Sequence, residues 1–289
     1  MDAFTVKAFA KINLSLDVLG TLPNGYHEVK MVMQTVSLYD SVELEKKDEG
    51  IELGCSLKFL PTGIDNLAYR AAEAFFNETG IKGGVKIFLK KHIPVGAGLA
   101  GGSSNAAAVL IGLNRLYEAN LSTRRLCEIG TALGADVPYC IIGGTRLAEG
   151  IGEKLSPLPP LPPCYIVLVK PSFSISTKWV YDNIDACPDI VHPPTEELIR
   201  ALSEGDLNSV CANMGNVLED VSIAHYPILS SVKADLIELG AIGSQMSGSG
   251  PTVFGIFDDE EKALKAKEIL WDKYKTAYIC RGVNSHKKR

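Results

Sequence analysis

The segment from residue 94 to residue 107 is a glycine-rich loop that runs into small residues, Pro-Val-Gly-Ala-Gly-Leu-Ala-Gly-Gly-Ser-Ser-Asn-Ala-Ala. Apolar residues alternate from Val85 to Leu89 before it and predict a strand. The residues after it predict a helix over about 104–117. Glycine permits a positive φ and a close backbone approach to a bulky group, and a helix N-terminus presents unpaired N–H groups to an anion. The sequence therefore predicts a strand–loop–helix unit that cradles a phosphate or, alternatively, packs tightly on a neighbouring strand.

The same loop contains a literal G-x-G-x-x-G from Gly96 to Gly101, the pattern of dinucleotide-binding loops. That motif needs a helix and then a second parallel strand that ends in an acidic residue. Here Glu118 lies near the end of the predicted helix, and a second helical pattern follows it to about Leu133. The sequence also lacks the Gly-Lys-Ser/Thr of a P-loop and the H-R-D and D-F-G triplets of protein kinases. The context therefore argues against NAD binding.

Strand patterns dominate the first half of the chain and helical patterns the second. Alternating apolar residues predict strands over 4–20, 29–36, 42–44, 51–53 and 85–89, with a helix over 67–76 that Asn66 can cap. Further on, strands are predicted at 165–169, 252–257 and 276–280, and helices near 176–184, 195–203, 206–213, 227–239 and 259–273. We predict two α+β lobes. The proline-rich stretch 157–163 marks their boundary, so that the lobes span 1–156 and 157–289.

The charge and the cysteines restrict the partners and the compartment. A formal net charge of −5 does not favour nucleic acid or an anionic membrane as a partner, so any bound phosphate must be held locally. The seven cysteines are scattered without a C-x-x-C pair, which favours reduced thiols over a disulfide frame or a zinc site. No apolar stretch approaches the length of a membrane span, and the first residues do not resemble a signal peptide. We expect a soluble cytoplasmic protein and make no prediction of its oligomeric state.

Three segments, in a fixed order, carry a family resemblance. The first is Ala8 to Leu14, Ala-Phe-Ala-Lys-Ile-Asn-Leu, the second is the glycine loop, and the third is Gly243 to Thr252, Gly-Ser-Gln-Met-Ser-Gly-Ser-Gly-Pro-Thr. They resemble the three motifs of the galactokinase, homoserine kinase, mevalonate kinase and phosphomevalonate kinase superfamily, whose ATP-binding signature is P-x-G-x-G-L-x-[SG]-S-S. The resemblance implies a two-lobe α+β kinase with its active site in the cleft between the lobes. It also implies ATP as co-substrate, with Mg.

Two further segments narrow the resemblance. Residues 23–29, Pro-Asn-Gly-Tyr-His-Glu-Val, and residues 133–139, Leu-Gly-Ala-Asp-Val-Pro-Tyr, are similar to motifs of the 4-diphosphocytidyl-2-C-methyl-D-erythritol kinase family of non-mevalonate isoprenoid biosynthesis. The similarity extends over essentially the whole chain. It implies ATP-dependent phosphorylation of the 2-hydroxyl of a substrate that carries a cytidine diphosphate group. A homoserine or mevalonate kinase, or a non-catalytic nucleotide-binding protein on the same scaffold, remains an alternative.

The resemblance assigns the chemistry to Asp136 and Lys11. Phosphoryl transfer to an alcohol needs a proton acceptor for the hydroxyl and cations near the transferring group. Asp136 is the expected base, and Lys11, on an apolar strand, is expected to orient the hydroxyl and to form an ion pair with Asp136. Alternatively, Asp136 is a carboxylate at a turn and Lys11 reaches solvent from an edge strand.

The resemblance also implies the substrate contacts. Aromatic faces can stack on the cytosine, and a histidine at the turn can bind the edge of its ring. Tyr26 and His27 could instead be ordinary hairpin surface residues, and Tyr181 could belong to a core face. Substrate contacts are expected from six residues, Asn13, Tyr26, His27, Tyr181, Ser247 and Gly248.

The implied nucleotide contacts lie mainly in the glycine loop. Ser103 and Ser104 are also candidates for binding Mg or phosphate, but the sequence identifies no acidic Mg ligand. Lys91 could alternatively be a solvated surface lysine. Because the family often has glycine at positions 97 and 100, we expect Ala97 and Ala100 to have negative φ and methyl groups that point away from the phosphates. ATP contacts are expected from Asn66, Lys91, Pro94, Val95, Gly96, Ala97, Gly98, Leu99, Ala100, Gly101, Gly102, Ser103 and Ser104.

Overall fold

Two long antiparallel strands, β1 (Ala3–Thr21) and β2 (His27–Lys47), form the base of the first sheet. This computed structural model describes residues 2–23, 25–185, 187 and 190–284, so Asn24 of the predicted turn lies outside the described residues. The register of β1 against β2 shifts between residues 9 and 11 and again between residues 13 and 15. Such bulges redirect side chains locally, and these two flank the polar residues of the first motif.

The remaining elements of the first half complete this sheet and cover it with helices. Its strand order is β3-β4-β2-β1, and β5 pairs with β2 and β6. Helix α2 packs so closely on the sheet at Gly112 that a Cβ there would lie 2.2 Å from the side chain of Leu44. These elements are β3 (Gly50–Cys55), α1 (Leu67–Thr79), β4 (Gly84–Lys90), α2 (Gly101–Leu116), α3 (Thr123–Leu133), α4 (Asp136–Ile142), β5 (Thr145–Glu149) and β6 (Lys154–Pro157).

The second half forms an antiparallel sheet of its own, with the order β11-β7-β10-β9. It also contributes β8 to the first sheet, where β8 pairs in parallel with β1. These elements are β7 (Tyr165–Val169), α5 (Thr177–Ile184), α6 (Thr195–Glu204), α7 (Leu207–Ala212), β8 (Gly215–Asn216), α8 (Leu218–His225), α9 (Ile228–Glu238), β9 (Gly243–Met246), β10 (Val253–Phe257), α10 (Glu260–Tyr274) and β11 (Ala277–Arg281).

The prediction of a two-lobe α+β fold is confirmed, but several element predictions are wrong. The separate strands predicted at 29–36 and 42–44 are one strand, because β1 pairs with the residues between them, Phe9 with Tyr39 and Ala8 with Asp40. The short elements α4, β5, β6, α8, β8 and β9 were not predicted, since none of them is long enough to show a clear period. The lobe boundary at 157–163 stays a prediction.

Polar residues at the N-termini explain where several helices begin. Asn66 caps α1 as predicted, since its side chain accepts a hydrogen bond from the Ala68 N–H at 3.0 Å. Ser122, Ser176 and Asp259 cap α3, α5 and α10 in the same way. None of the described helices combines the length and the apolar character that crossing a membrane would require.

Candidate active site

A cavity of about 970 Å³ lies between elements of the two halves and collects nearly all of the predicted site residues. The glycine loop lines it, and so does a group of three rings, Tyr26, His27 and Tyr181. Lys11, Asn13, Asp136 and Gly248 also line it, as do Asn66 and Lys91. Of the predicted residues, Ser104 and Ser247 do not line the cavity.

Lys11 and Asn13 lie side by side on β1, where alternate residues share a face. Lys11 is only 5% exposed, so the alternative of a lysine that reaches solvent is wrong. Its ammonium donates to Oδ1 of Asn13 at 2.7 Å. The predicted ion pair with Asp136 is wrong: in the part of the chain that the structure describes, the two residues line one cavity without being paired. The partner of the Lys11 ammonium is therefore the side-chain amide of Asn13, and not the expected carboxylate of Asp136.

The two glycine-rich loops meet beside Lys11. A Cβ at Gly98 would lie 2.2 Å from the carbonyl oxygen of Ser247, so the backbones approach more closely than any other residue would allow. Ser247 donates its hydroxyl to the Gly98 carbonyl at 3.1 Å. Its side chain therefore joins the two loops and lies outside the cavity lining, and its expected contact with substrate stays a prediction. Gly248 faces the cavity, and a Cβ there would lie 3.3 Å from the Lys11 ammonium.

Three positive φ angles shape the glycine loop, 59° at Gly96, 73° at Gly98 and 56° at Ala100. The expected negative φ is therefore wrong for Ala100, which adopts the left-handed conformation as the residue before α2, and is confirmed for Ala97. Ser104 is buried outside the cavity lining and donates its hydroxyl to the Phe9 carbonyl at 2.6 Å, and its expected contact with Mg or phosphate stays a prediction. Ser103 remains the hydroxyl that lines the cavity at the start of α2.

Asp40 is a fully buried hub behind the glycine loop. Its Oδ1 accepts the backbone N–H groups of His92 at 2.6 Å and Ile93 at 2.8 Å, and its Oδ2 accepts the Asn105 amide at 2.9 Å. The carboxylate also forms an ion pair with the Lys91 ammonium. One side chain on β2 thus ties the end of β4 to α2, and Lys91 is a buried, paired lysine rather than a solvated one.

Helix α4 begins at Asp136 and is anchored through the side chain of Tyr139. The Tyr139 hydroxyl donates to the Gly144 carbonyl at 2.7 Å and lies 3.0 Å from the Thr35 hydroxyl on β2. Burial raises the pKa of Tyr139, which keeps its phenol a proton donor. Burial and then the negative charge of Asp136 also raise the pKa of Tyr181.

Three rings, those of Tyr26, His27 and Tyr181, form a separate group in the lining of the cavity. The imidazole of His27 lies 5.0 Å from the Tyr181 ring, centre to centre, and its Nε2 lies 3.0 Å from Oδ1 of Asp185. Tyr26 is 60% exposed at the cavity mouth. The structure therefore brings together the three residues that the sequence proposed for an aromatic clamp.

Comparisons with known proteins agree with this geometry. Models described as "GHMP kinases N terminal domain" and "GHMP kinases C terminal" match residues 66–144 and 198–276. A 4-diphosphocytidyl-2-C-methyl-D-erythritol kinase of Clostridium perfringens is 50% identical over 97% of this chain and 99% of its own length. The chain belongs to the 4-diphosphocytidyl-2-C-methyl-D-erythritol kinase family. The predictions of this family and of a phosphotransferase with an alcohol acceptor are confirmed.

Two solved structures share the fold of this chain. A crystal structure of 4-(cytidine 5'-diphospho)-2C-methyl-D-erythritol kinase has a TM-score of 0.84 and 36% identity, covering 97% of this chain and 100% of that one. The homoserine kinase from Cytophaga hutchinsonii has a TM-score of 0.79 at 20% identity, covering 99% of this chain and 96% of that one, and shows the shared fold alone.

Three features of this family member were missed by the sequence analysis. Asp40 had only a weak signal, as the first acidic residue after the apolar-rich run that starts at Val29 in β2. Nothing in the sequence pointed to a role for Asp185, because only the fold brings it close to His27. The same holds for the pair of hydroxyls that joins α5 to the third motif, Thr177 and Ser249, whose oxygens lie 2.8 Å apart.

Proposed function

We propose that this member of the family transfers the γ-phosphoryl group of ATP to the 2-hydroxyl of 4-diphosphocytidyl-2-C-methyl-D-erythritol. The observation that carries the proposal is that one cavity is lined both by the glycine loop and by the three rings of Tyr26, His27 and Tyr181. Lys11 and Asp136 line the same cavity. A nucleotide triphosphate and a pyrimidine-carrying alcohol can therefore meet at these two residues.

Asp136 is the proposed general base. Its carboxylate, on an element anchored by Tyr139, accepts the proton of the substrate hydroxyl as the oxygen attacks the γ-phosphorus. The Lys11 ammonium, held by Asn13, contributes positive charge to the oxygens of the transferring group. The absence of a direct Lys11–Asp136 pair leaves the carboxylate open to the hydroxyl.

The nucleotide phosphates are proposed to lie against the glycine loop and the N-terminus of α2. The first N–H groups of a helix have no partner within the helix, so they can bind phosphate oxygens. Among the described residues there is no cluster of three or more His, Cys, Asp or Glu side chains that could hold a metal ion. Mg would therefore be held by the nucleotide and by the hydroxyl of Ser103, and would supply charge neutralisation at the phosphates.

The cytidine end is proposed to lie among Tyr26, His27 and Tyr181, with Asn13 near the erythritol chain. A cytoplasmic location is part of the same proposal, since none of the seven cysteines forms a disulfide bond. A non-catalytic nucleotide-binding protein is a weaker candidate, because Lys11 and Asp136 line the cavity together.

The experiment is ADP release with ATP and Mg against four acceptors: 4-diphosphocytidyl-2-C-methyl-D-erythritol, methylerythritol 4-phosphate, homoserine and mevalonate. We expect turnover with the cytidine conjugate alone. Turnover with homoserine or mevalonate would retain the phosphoryl-transfer chemistry and reject the substrate. No turnover with any acceptor would favour the non-catalytic alternative.

A further inference from the structure

His27 is oriented by a residue to which the proposed reaction assigns no role. Its Nε2 lies 3.0 Å from Oδ1 and 3.2 Å from Oδ2 of Asp185, the residue that follows α5. The imidazole is 10% exposed, while the Asp185 side chain is 55% exposed. The opposite contact of the imidazole is the ring of Tyr181. The orientation of the histidine is thus set from outside the cavity.

This contact determines which nitrogen of His27 carries the proton. An ionised carboxylate only accepts hydrogen bonds, so Nε2 must be the donor. In the neutral ring the other nitrogen, Nδ1, is then an acceptor with a free lone pair. Among the residues that the structure describes, Nδ1 has no hydrogen-bond partner, and His27 lines the cavity. The lone pair is available to a ligand.

We propose that Asp185 is a positioning residue that fixes the tautomer of His27 and thereby selects an amino-pyrimidine over an oxo-pyrimidine. Cytosine carries an amino group at C4, which can donate a hydrogen bond to Nδ1. Uracil carries a carbonyl there, whose lone pairs would face the lone pair of Nδ1. This inference rests on the proposed function, because it assumes that the pyrimidine of the substrate lies at the aromatic clamp.

The test compares the cytidine substrate with its uridine counterpart in the Asp185→Ala variant. Removing the carboxylate frees the tautomer, so we expect the ratio of kcat/KM for cytidine over uridine to fall about tenfold through KM, with little change in kcat. Asp185→Glu, which retains a carboxylate, should restore much of the ratio. The control is Glu196→Ala, which removes the same charge from an exposed side chain outside the cavity lining, where Glu196 pairs with Lys30 and not with His27. Its ratio should stay at the wild-type value.

Two measurements separate this inference from the proposed reaction. Calorimetric binding of CDP and UDP reports base selection without turnover, so it remains informative if the protein phosphorylates a different alcohol. Nitrogen NMR of His27 in the wild-type protein should show a protonated Nε2 and an unprotonated Nδ1. An unchanged CDP-to-UDP preference in Asp185→Ala, or a protonated Nδ1 in the wild-type protein, would overturn the inference.

Discussion

The part of the cavity lined by the glycine loop, where we propose that the nucleotide phosphates bind, differs in its construction from the part lined by Tyr26, His27 and Tyr181, where we propose that the cytosine binds. We call these two parts the nucleotide end and the base end. At the nucleotide end, Asp40 is fully buried and binds four donors, and the Gly98 backbone lies directly against Ser247. At the base end, Tyr26 is mostly exposed and His27 is held by an exposed carboxylate. The nucleotide end is thus anchored in the folded core, while the base end depends in part on two exposed side chains, Tyr26 and Asp185.

The difference has an energetic consequence. Removing one partner of a buried ion pair costs about 3–5 kcal/mol, because a charge is left uncompensated away from water. Removing an exposed ion pair costs about 1 kcal/mol or less. Substitutions at the nucleotide end should therefore reduce both folding stability and ATP binding. Substitutions at the base end should change acceptor binding alone.

The largest effect is expected at Asp136, which lines the cavity but belongs to neither end as defined above. Asp136→Asn retains the shape of the side chain and removes the proton acceptor, so kcat should fall about 10²–10⁴-fold. ATP affinity and acceptor affinity should both stay near their wild-type values, since neither end is altered. Single-turnover kinetics and equilibrium nucleotide binding provide the measurements. A variant that retains most of its turnover would exclude Asp136 as the base.

Asp40→Asn tests whether the nucleotide end depends on its buried hub. The variant leaves the Lys91 ammonium buried without its carboxylate, so the free energy of unfolding should fall by about 3–5 kcal/mol. The KM for ATP should rise with it, because the hub ties β4 to α2. Denaturant unfolding and initial-rate kinetics measure the two effects.

The double variant Asp40→Asn with Lys91→Met is the matched control. It removes both charges, so most of the lost stability should return. ATP binding should remain impaired if Lys91 contacts the nucleotide. A double variant as unstable as Asp40→Asn alone would show that the backbone hydrogen bonds of Asp40, not its charge pairing, hold this end together.

Tyr26→Ala tests the base end. Loss of one stacking face should raise the KM for the acceptor by about tenfold to 100-fold, from roughly 1–3 kcal/mol of base–aromatic stacking. Thermal stability should hardly change, since the ring is largely exposed. The control is Trp271→Ala, which removes a half-exposed aromatic from α10, outside the cavity lining. A drop in melting temperature with no change in KM would contradict the contrast between the two ends.

The two ends also differ in how far the sequence predicts them. The glycine loop and its helix are local features, so their elements could be predicted from residue pattern alone. The contacts that complete each end join residues far apart in the sequence. Asp40 pairs with Lys91, 51 residues away, and Asp185 contacts His27, 158 residues away. The predicted Lys11–Asp136 pair was wrong for a different reason, because the observed partner of Lys11 is two residues away on the same strand. A sequence indicates that a buried lysine needs a partner, but not that the nearer Asn13 provides it.

The smallest expected effect concerns two alanines of the glycine loop with opposite backbone conformations. Ala100 has a φ of 56°, which is strained for a residue with a Cβ, and it precedes α2, where glycine is also the better cap. Ala100→Gly should therefore raise the free energy of unfolding by about 1 kcal/mol. Ala97 is buried and lies outside the left-handed region, so Ala97→Gly should lower it by about 1 kcal/mol. Denaturant midpoints of the two variants show whether each substitution raises or lowers the free energy of unfolding. If Ala100→Gly stabilises the protein and Ala97→Gly destabilises it, the backbone strain of the loop resides at Ala100. If both substitutions destabilise it, the Ala100 methyl group contributes more to stability through packing than its positive φ costs.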